Sequence, residues 1–243
     1  KVLPCYAKSW AKFVLCITIH RRSKNRTPIF FACRKLMDKF FLPIKQYAQV
    51  ILIACLFLSV AQSAIADDRL WQRLQQGGYV MLIRHASTEP GLGDPPQFKL
   101  GDCSTQRNLS AEGREQARAI GRELQRRKIP FGEVLSSEWC RCIDTAQLAF
   151  DKAKPWQPLN STFSQPERAA EQTAKIKQHI GAYQGKANQV LVTHHVIIGA
   201  LTNQWVEQGE IVIVAPDKSA AGFQYIGRLN INGPVTSGAT AVR

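Results

Sequence analysis

Tyr79-Val80-Met81-Leu82-Ile83-Arg84-His85 is an uncharged, apolar run that ends abruptly on a cation and an imidazole. It follows Gly77-Gly78, and a short apolar run bounded by such a turn signal reads as a buried strand. Gln189-Val190-Leu191-Val192-Thr193 has the same character and runs into His194-His195. Glu133-Val134-Leu135 is a shorter strand, and Ile211–Val214 and Phe223–Ile226 read as the last two. Between these runs the pattern turns helical. Residues 110–128 open on Ser110 as N-cap and repeat apolar or small residues at Ala117, Ile120, Gly121 and Leu124. Helices are also predicted over 138–150, 167–184 and 196–206, and the proline-containing stretch 151–166 reads as a loop. Strands alternating with helices indicate a layered α/β domain.

The chain has 243 residues and a formal charge of +14. With 45% hydrophobic and 21% charged residues, pervasive disorder is excluded. The charge is uneven. Residues 1–66 hold 11 Lys and Arg against one acid, Asp38, whereas residues 67–243 are only +4. From Met37, a short basic stretch with Lys39 and Lys45 leads into the apolar run Val50–Ala61, then to Ala64-Ile65-Ala66 before two aspartates. That layout reads as a secretory signal peptide cleaved after Ala66. The run is short for a membrane span, which takes roughly 20 apolar residues, so no stable span is expected in the mature protein. Residues 1–36 show no sustained period and read as a non-native upstream extension, and 67–243 as one domain. A basic N-terminus removed or never made argues against a nucleic-acid partner. The localisation expected is periplasmic or secreted.

Three polar clusters sit immediately beyond buried strands: Arg84-His85-Ala86-Ser87-Thr88, Ser136-Ser137-Glu138-Trp139-Cys140-Arg141, and Thr193-His194-His195. Ligands of open α/β sheets bind at the carboxyl ends of strands. If the three strands are parallel neighbours, two guanidiniums and two or three imidazoles converge. Such a pocket suits a phosphoryl group. Each piece alone has a blander reading as a surface charge or a structural hydrogen-bonder; the shared position relative to a strand makes the set specific.

These residues resemble the histidine phosphatase superfamily, with its phosphoglycerate mutase-like fold. Leu82-Ile83-Arg84-His85-Ala86 is similar to its first motif, with Ala where Gly is usual. Ser136-Ser137-Glu138-Trp139-Cys140-Arg141-Cys142-Ile143-Asp144-Thr145-Ala146 is similar to its second, and Val190–His194 to its late histidine. Arg107-Asn108-Leu109-Ser110-Ala111-Glu112-Gly113 is similar to the link into its first helix. The resemblance covers roughly 76–230 and is greatest to short exported phosphatases. It implies a three-layer sandwich, a mostly parallel sheet with helices on both faces. It also implies His85 as a nucleophile that takes the phosphoryl group, with Arg84, Arg141 and His194 holding the phosphate oxygens. No metal and no cofactor are implied, since Arg and His supply the positive charge.

Departures from the pattern concern the proton donor. Phytase-like members place Asp after the late histidine, where this chain has His195, and mutase-like members place a Glu in a stretch that here reads Pro158–Phe163 without an acid. Glu167 and Glu89 are the remaining candidates for a general acid. Ile197 and Asn203 stand where relatives often carry Asn and Gly, with Ile197 expected near the pocket rim. Cys103 and Cys140 are candidates for a disulfide bracing two active-site segments, which an oxidising compartment permits. The substrate expected is a small phosphorylated molecule or a phosphoprotein, handled by phosphate monoester hydrolysis. Alternatives are a phosphomutase and a non-catalytic phospho-ligand binder of the same fold. Oligomeric state is not legible.

Overall fold

The structure, a computed structural model, describes residues 68–219 and 221–231, together with Gln49 and Ile51. The chain divides into a unit Lys1–Ala61 and a unit Gln62–Arg243. In the first only Gln49 and Ile51 are described, both helical and exposed. The upstream extension 1–36 and the signal peptide 37–66 otherwise lie outside the described residues. Among the described residues no helix is long and apolar enough to cross a membrane.

The second unit is an α/β domain around one six-stranded sheet. Its strands are β1 (Val80–Arg84), β2 (Phe131–Ser136), β3 (Lys154–Pro155), β4 (Asn188–Thr193), β5 (Ile211–Pro216) and β6 (Phe223–Leu229). They are ordered β3-β2-β4-β1-β5-β6. The β3–β2, β2–β4 and β4–β1 pairings are parallel, and β5 and β6 are added antiparallel. The helices are α1 (Ala111–Arg126), α2 (Cys140–Phe150), α3 (Ala169–Gly181) and α4 (His195–Thr202), preceded by helical residues 68–76.

Side chains alternate across a strand, and both faces of β1 are covered. Met81 and Ile83 pack with Ile120 and Leu124 of α1, Ala146 and Phe150 of α2, and Trp71 and Leu74. Val80 and Leu82 pack on the other face with Ile176 and Ile180 of α3 and Ile197, Ile198 and Leu201 of α4. Four consecutive residues are therefore fully buried. Each such aliphatic side chain contributes roughly 1.5–3 kcal/mol by leaving water. That burial on both faces is why the strand reads as an unbroken apolar run and not as an alternating one.

α1 begins where Ser110 Oγ accepts a hydrogen bond from Gly113 N at 3.1 Å, and its apolar stripe, Gly113, Ala117, Ile120 and Leu124, is buried. Gly113 lets the helix start lie against the chain beyond β1: an added Cβ would stand 1.8 Å from Ser87 O.

Two expectations need correction. Residues 154–155, expected in a loop, form an edge strand, paired parallel to Leu135 and Ser136. Ile197 is not at the pocket rim. α4 turns it onto the sheet, where it is fully buried among Leu191, Ile198 and the β5 valines, so its apolar nature serves packing. Asn203 caps α4 with φ 55° and donates its N–H to Gly199 O. Asn is the residue that best replaces Gly in that left-handed conformation.

Candidate active site

Parallel pairing with β4 in the middle gathers the three strand ends. Arg84 is in register with Thr193, and Ser136 with Val192, so His85, Ser137 and His194 emerge side by side. The His85 and His194 ring centroids are 5.4 Å apart, edge to face, and the Trp139 ring also lies 5.4 Å from His194. A cavity of about 460 Å³ opens over them. That is ample for a phosphoryl group with an organic portion attached.

The floor carries Arg84, His85, Arg107, Arg141, His194 and His195. His85 is 3% exposed, and its Nδ1 lies 2.9 Å from Ala86 O. A carbonyl only accepts, so the neutral ring carries its proton on Nδ1 and presents an unprotonated Nε2. Burial, reinforced by Arg141, pushes the His85 pKa down to about 3, so the lone pair is available at neutral pH. His194 is likewise held well below the ordinary histidine value, first by burial and then by Arg141. Its Nε2 lies 2.8 Å from Ser137 Oγ, which leaves Nδ1 as the nitrogen for a ligand. Ser137 is itself 3.2 Å from Asn160 Oδ1, and Asn160 is fixed by donating to Glu138 Oε2 at 2.6 Å. Burial also lowers His195, followed by repulsion from Arg84, Arg107 and Arg141. Its ring stands edge-on against Trp205.

The guanidiniums are placed with one feature in common. Arg84 donates from a terminal nitrogen to Val206 O at 2.6 Å, Arg107 to Gly91 O, and Arg141 to Asp94. In all three the buried Nε–H has no hydrogen-bond partner. Unsatisfied buried donors are uncommon; the three guanidiniums themselves line the cavity, and guanidiniums gathered in this way suit an anion with several oxygens.

Two residues of the site carry roles that the sequence does not disclose. Arg107 lines the cavity, although its motif points only to the link into α1. Asp94 also lines it, with its carboxylate on Arg141: Nη1 to Oδ1 is 2.7 Å and Nη2 to Oδ2 is 3.1 Å. Arg107 N and Trp139 Nε1 donate to the same carboxylate, each at 3.0 Å. The signal available in the sequence is Gly91-Leu92-Gly93-Asp94-Pro95-Pro96, an acid in a tight turn between β1 and α1. The two carboxylates named as acid candidates are elsewhere. Glu89 and Glu167 are exposed and neither lines the cavity.

Cys103 and Cys140 are joined, with S–S 2.07 Å and Cα atoms 5.7 Å apart. The bond ties the loop before α1 to the residue preceding Arg141. Cys142 is free and buried, and burial pushes its thiol up to about 12, so it is a packing residue and not a nucleophile. The mouth is formed by two loops, with Leu92, Pro95 and Phe98 from one and Ser161, Phe163 and Ser164 from the other.

No curated protein sequence matches the chain. Among solved structures, the protein histidine phosphatase SixA complexed with tungstate is 17% identical, covering 63% of this chain and 97% of its own, with a TM-score of 0.45. A phosphoserine phosphatase mutant from Entamoeba histolytica, in complex with phosphoserine, is 14% identical over 63% of this chain and 98% of its own, with a TM-score of 0.45. Mycobacterial hydrolase 2 is 17% identical over 60% and 87%, with a TM-score of 0.43. Residues 80–163, the segment that carries Arg84, His85, Arg107 and Arg141, match the family model described as histidine phosphatase superfamily (branch 1).

Proposed function

We propose that the protein hydrolyses phosphate monoesters through a phosphohistidine on His85, in the periplasm or outside the cell. The carrying observation is the His85 ring, whose Nδ1 is tied to Ala86 O and whose neutral Nε2 faces a floor of three arginines. Nε2 attacks phosphorus and the ester oxygen departs with the bonding pair. Water then attacks the phosphohistidine, the N–P bond breaks, and inorganic phosphate and a neutral imidazole remain. Charge on the equatorial oxygens is met by Arg84, Arg107, Arg141 and His194, and such electrostatic positioning is the main contribution a protein makes to phosphoryl transfer.

The leaving oxygen needs a proton. Asp94 is the sole carboxylate among the cavity-lining residues, and it accepts four hydrogen bonds. It holds no proton to give. The reading therefore favours substrates whose leaving group departs without a strong acid, such as an aryl phosphate or a phosphoramidate. The same observation favours the second reading, a phospho-ligand binder that does not turn over. Export is supported by the layout of residues 37–66, and a disulfide beside the site suits an oxidising compartment.

The test is hydrolysis of p-nitrophenyl phosphate by the full chain. The wild type is expected to turn over and to accumulate a phosphoenzyme in acid-quench sampling, and His85→Ala to lose both while still binding phosphate. A folded wild type that binds inorganic phosphate without turnover overturns the phosphatase reading in favour of the binder.

A further inference from the structure

Asp94 is unexpected in a pocket built for an anion. Its carboxylate takes two guanidinium N–H groups, a backbone N–H and an indole N–H, a donor set that would serve phosphoryl oxygens equally well. It approaches Arg141 end-on, across both terminal nitrogens, and leaves the Nε edge unpartnered. Arg141 and Asp94 are both largely buried, with side chains 5% and 9% exposed. The turn that delivers the carboxylate depends on Gly91 at φ 134° and Gly93 at φ 72°, a region glycine enters without strain.

The charge balance gives the consequence. With His85, His194 and His195 held neutral, the lining carries three guanidiniums and one carboxylate. Burial opposes ionisation of Asp94, but hydrogen bonds and charge from Arg141, with Arg107 N and the Trp139 indole, outweigh it and hold the carboxyl below its usual value. The carboxylate is therefore a fixed negative charge a few ångströms from where phosphate oxygens must sit. In a partly buried site a charge at that distance alters anion affinity by more than a factor of ten.

We infer that Asp94 is an affinity-setting residue: a resident anion that shares the Arg141 guanidinium with phosphate and weakens the pocket's hold on it, so that the inorganic phosphate product leaves. The inference rests on the phosphate-pocket reading of the site. It differs from a proton-donor role, which the four accepted hydrogen bonds disallow, and from a purely orienting role, which would make loss of Asp94 weaken binding.

The experiment is calorimetric titration of the full-length protein with inorganic phosphate, which needs no turnover. Asp94→Asn keeps the shape and removes the charge; Asp94→Ser removes both and is run beside it, and Asp94→Glu restores the charge. Each variant is checked for fold by circular dichroism. Asp94→Asn and Asp94→Ser are expected to bind phosphate at least tenfold more tightly than the wild type, with Asp94→Glu within about threefold of it. In hydrolysis of p-nitrophenyl phosphate, product inhibition should tighten by the same factor in the two uncharged variants. Unchanged or weaker phosphate binding by a folded uncharged variant overturns the inference and leaves Asp94 as a structural support for Arg141. If the wild type and all variants fail to bind phosphate, it is the phosphate-pocket reading itself that falls.

Discussion

Lowering the pH should weaken the fold well before its carboxylates titrate, because the site's histidines are buried neutral. His85 has a folded-state pKa of about 3 against an ordinary value of 6.5. The unfolded chain therefore binds the extra proton. The stabilisation is fully present above pH 6.5 and is lost as pH falls through the window from 6.5 toward 3. At about 1.36 kcal/mol per pH unit for one proton, that window spans about 5 kcal/mol. His85 is 3% exposed, so solvent screening takes little from this figure. The measurement is urea unfolding of the disulfide-intact protein at half-unit steps from pH 7 to 4.5. The comparison is His85→Asn, whose amide can keep the donation to Ala86 O. Carboxylate pairs such as Arg114–Asp144 and the remaining histidines are common to both proteins, so the difference in slope isolates His85. The wild type is expected to lose about 1.4 kcal/mol per pH unit more than the variant below pH 5.5. Parallel slopes would show that His85 takes up a proton inside the folded protein, and with that the argument for a neutral nucleophile held by burial would fail.

Two further outcomes are expected from the packing around the site. Replacing Cys103 and Cys140 by Ser removes a cross-link over a sequence separation of 37, which in the chain-entropy model costs about 4 kcal/mol of unfolding free energy; chemical denaturation should show a loss in the range of roughly 2–5 kcal/mol. Gly113→Ala forces a methyl onto Ser87 O, backbone against backbone, and neither side can give cheaply; a destabilisation of at least about 2 kcal/mol is expected by thermal unfolding, with a fall in turnover because Ser87 is two residues beyond His85. An alanine variant as stable as the wild type would show that α1 does not approach the strand end so closely.

The sequence is legible wherever structure depends on a strand and the residues just past it. The strand carrying Val80–Ile83 and that carrying Val190–Val192 announce themselves because both faces are covered, and a polar group at such a strand's carboxyl end can only face the site. Arg84, His85 and His194 are placed directly by that rule. Arg141 is placed by its position at the start of the helix that follows β2. The helical residues 68–76 are not predicted, although Leu70, Trp71 and Leu74 have helical spacing and Trp71 and Leu74 are buried. β3 is not legible, since two exposed residues with a proline carry no period, and only the neighbouring β2 edge makes them a strand.

Asp94 is hidden for a deeper reason. Whether a loop acid turns outward to water or inward to a guanidinium depends on two glycine φ angles and on an indole N–H 45 residues away, none of which has a sequence period. Its presence revises the meaning of the chain's basicity. A net +14 suggests a polyanion as partner, but residues 67–243 carry only +4 of it. Four arginines share two glutamates of α1, Glu115 and Glu123, and a further excess sits in one cavity. There three guanidiniums meet one carboxylate while three imidazoles stay uncharged. The remainder is +2, the magnitude of a phosphate dianion. On the proposed phosphatase reading, a pocket with all three arginines unopposed would hold inorganic phosphate harder than turnover can use, because affinity shared by ground state and transition state does not speed turnover. On the inference drawn above, the buried acid moderates the charge that the arginines bring to the cavity.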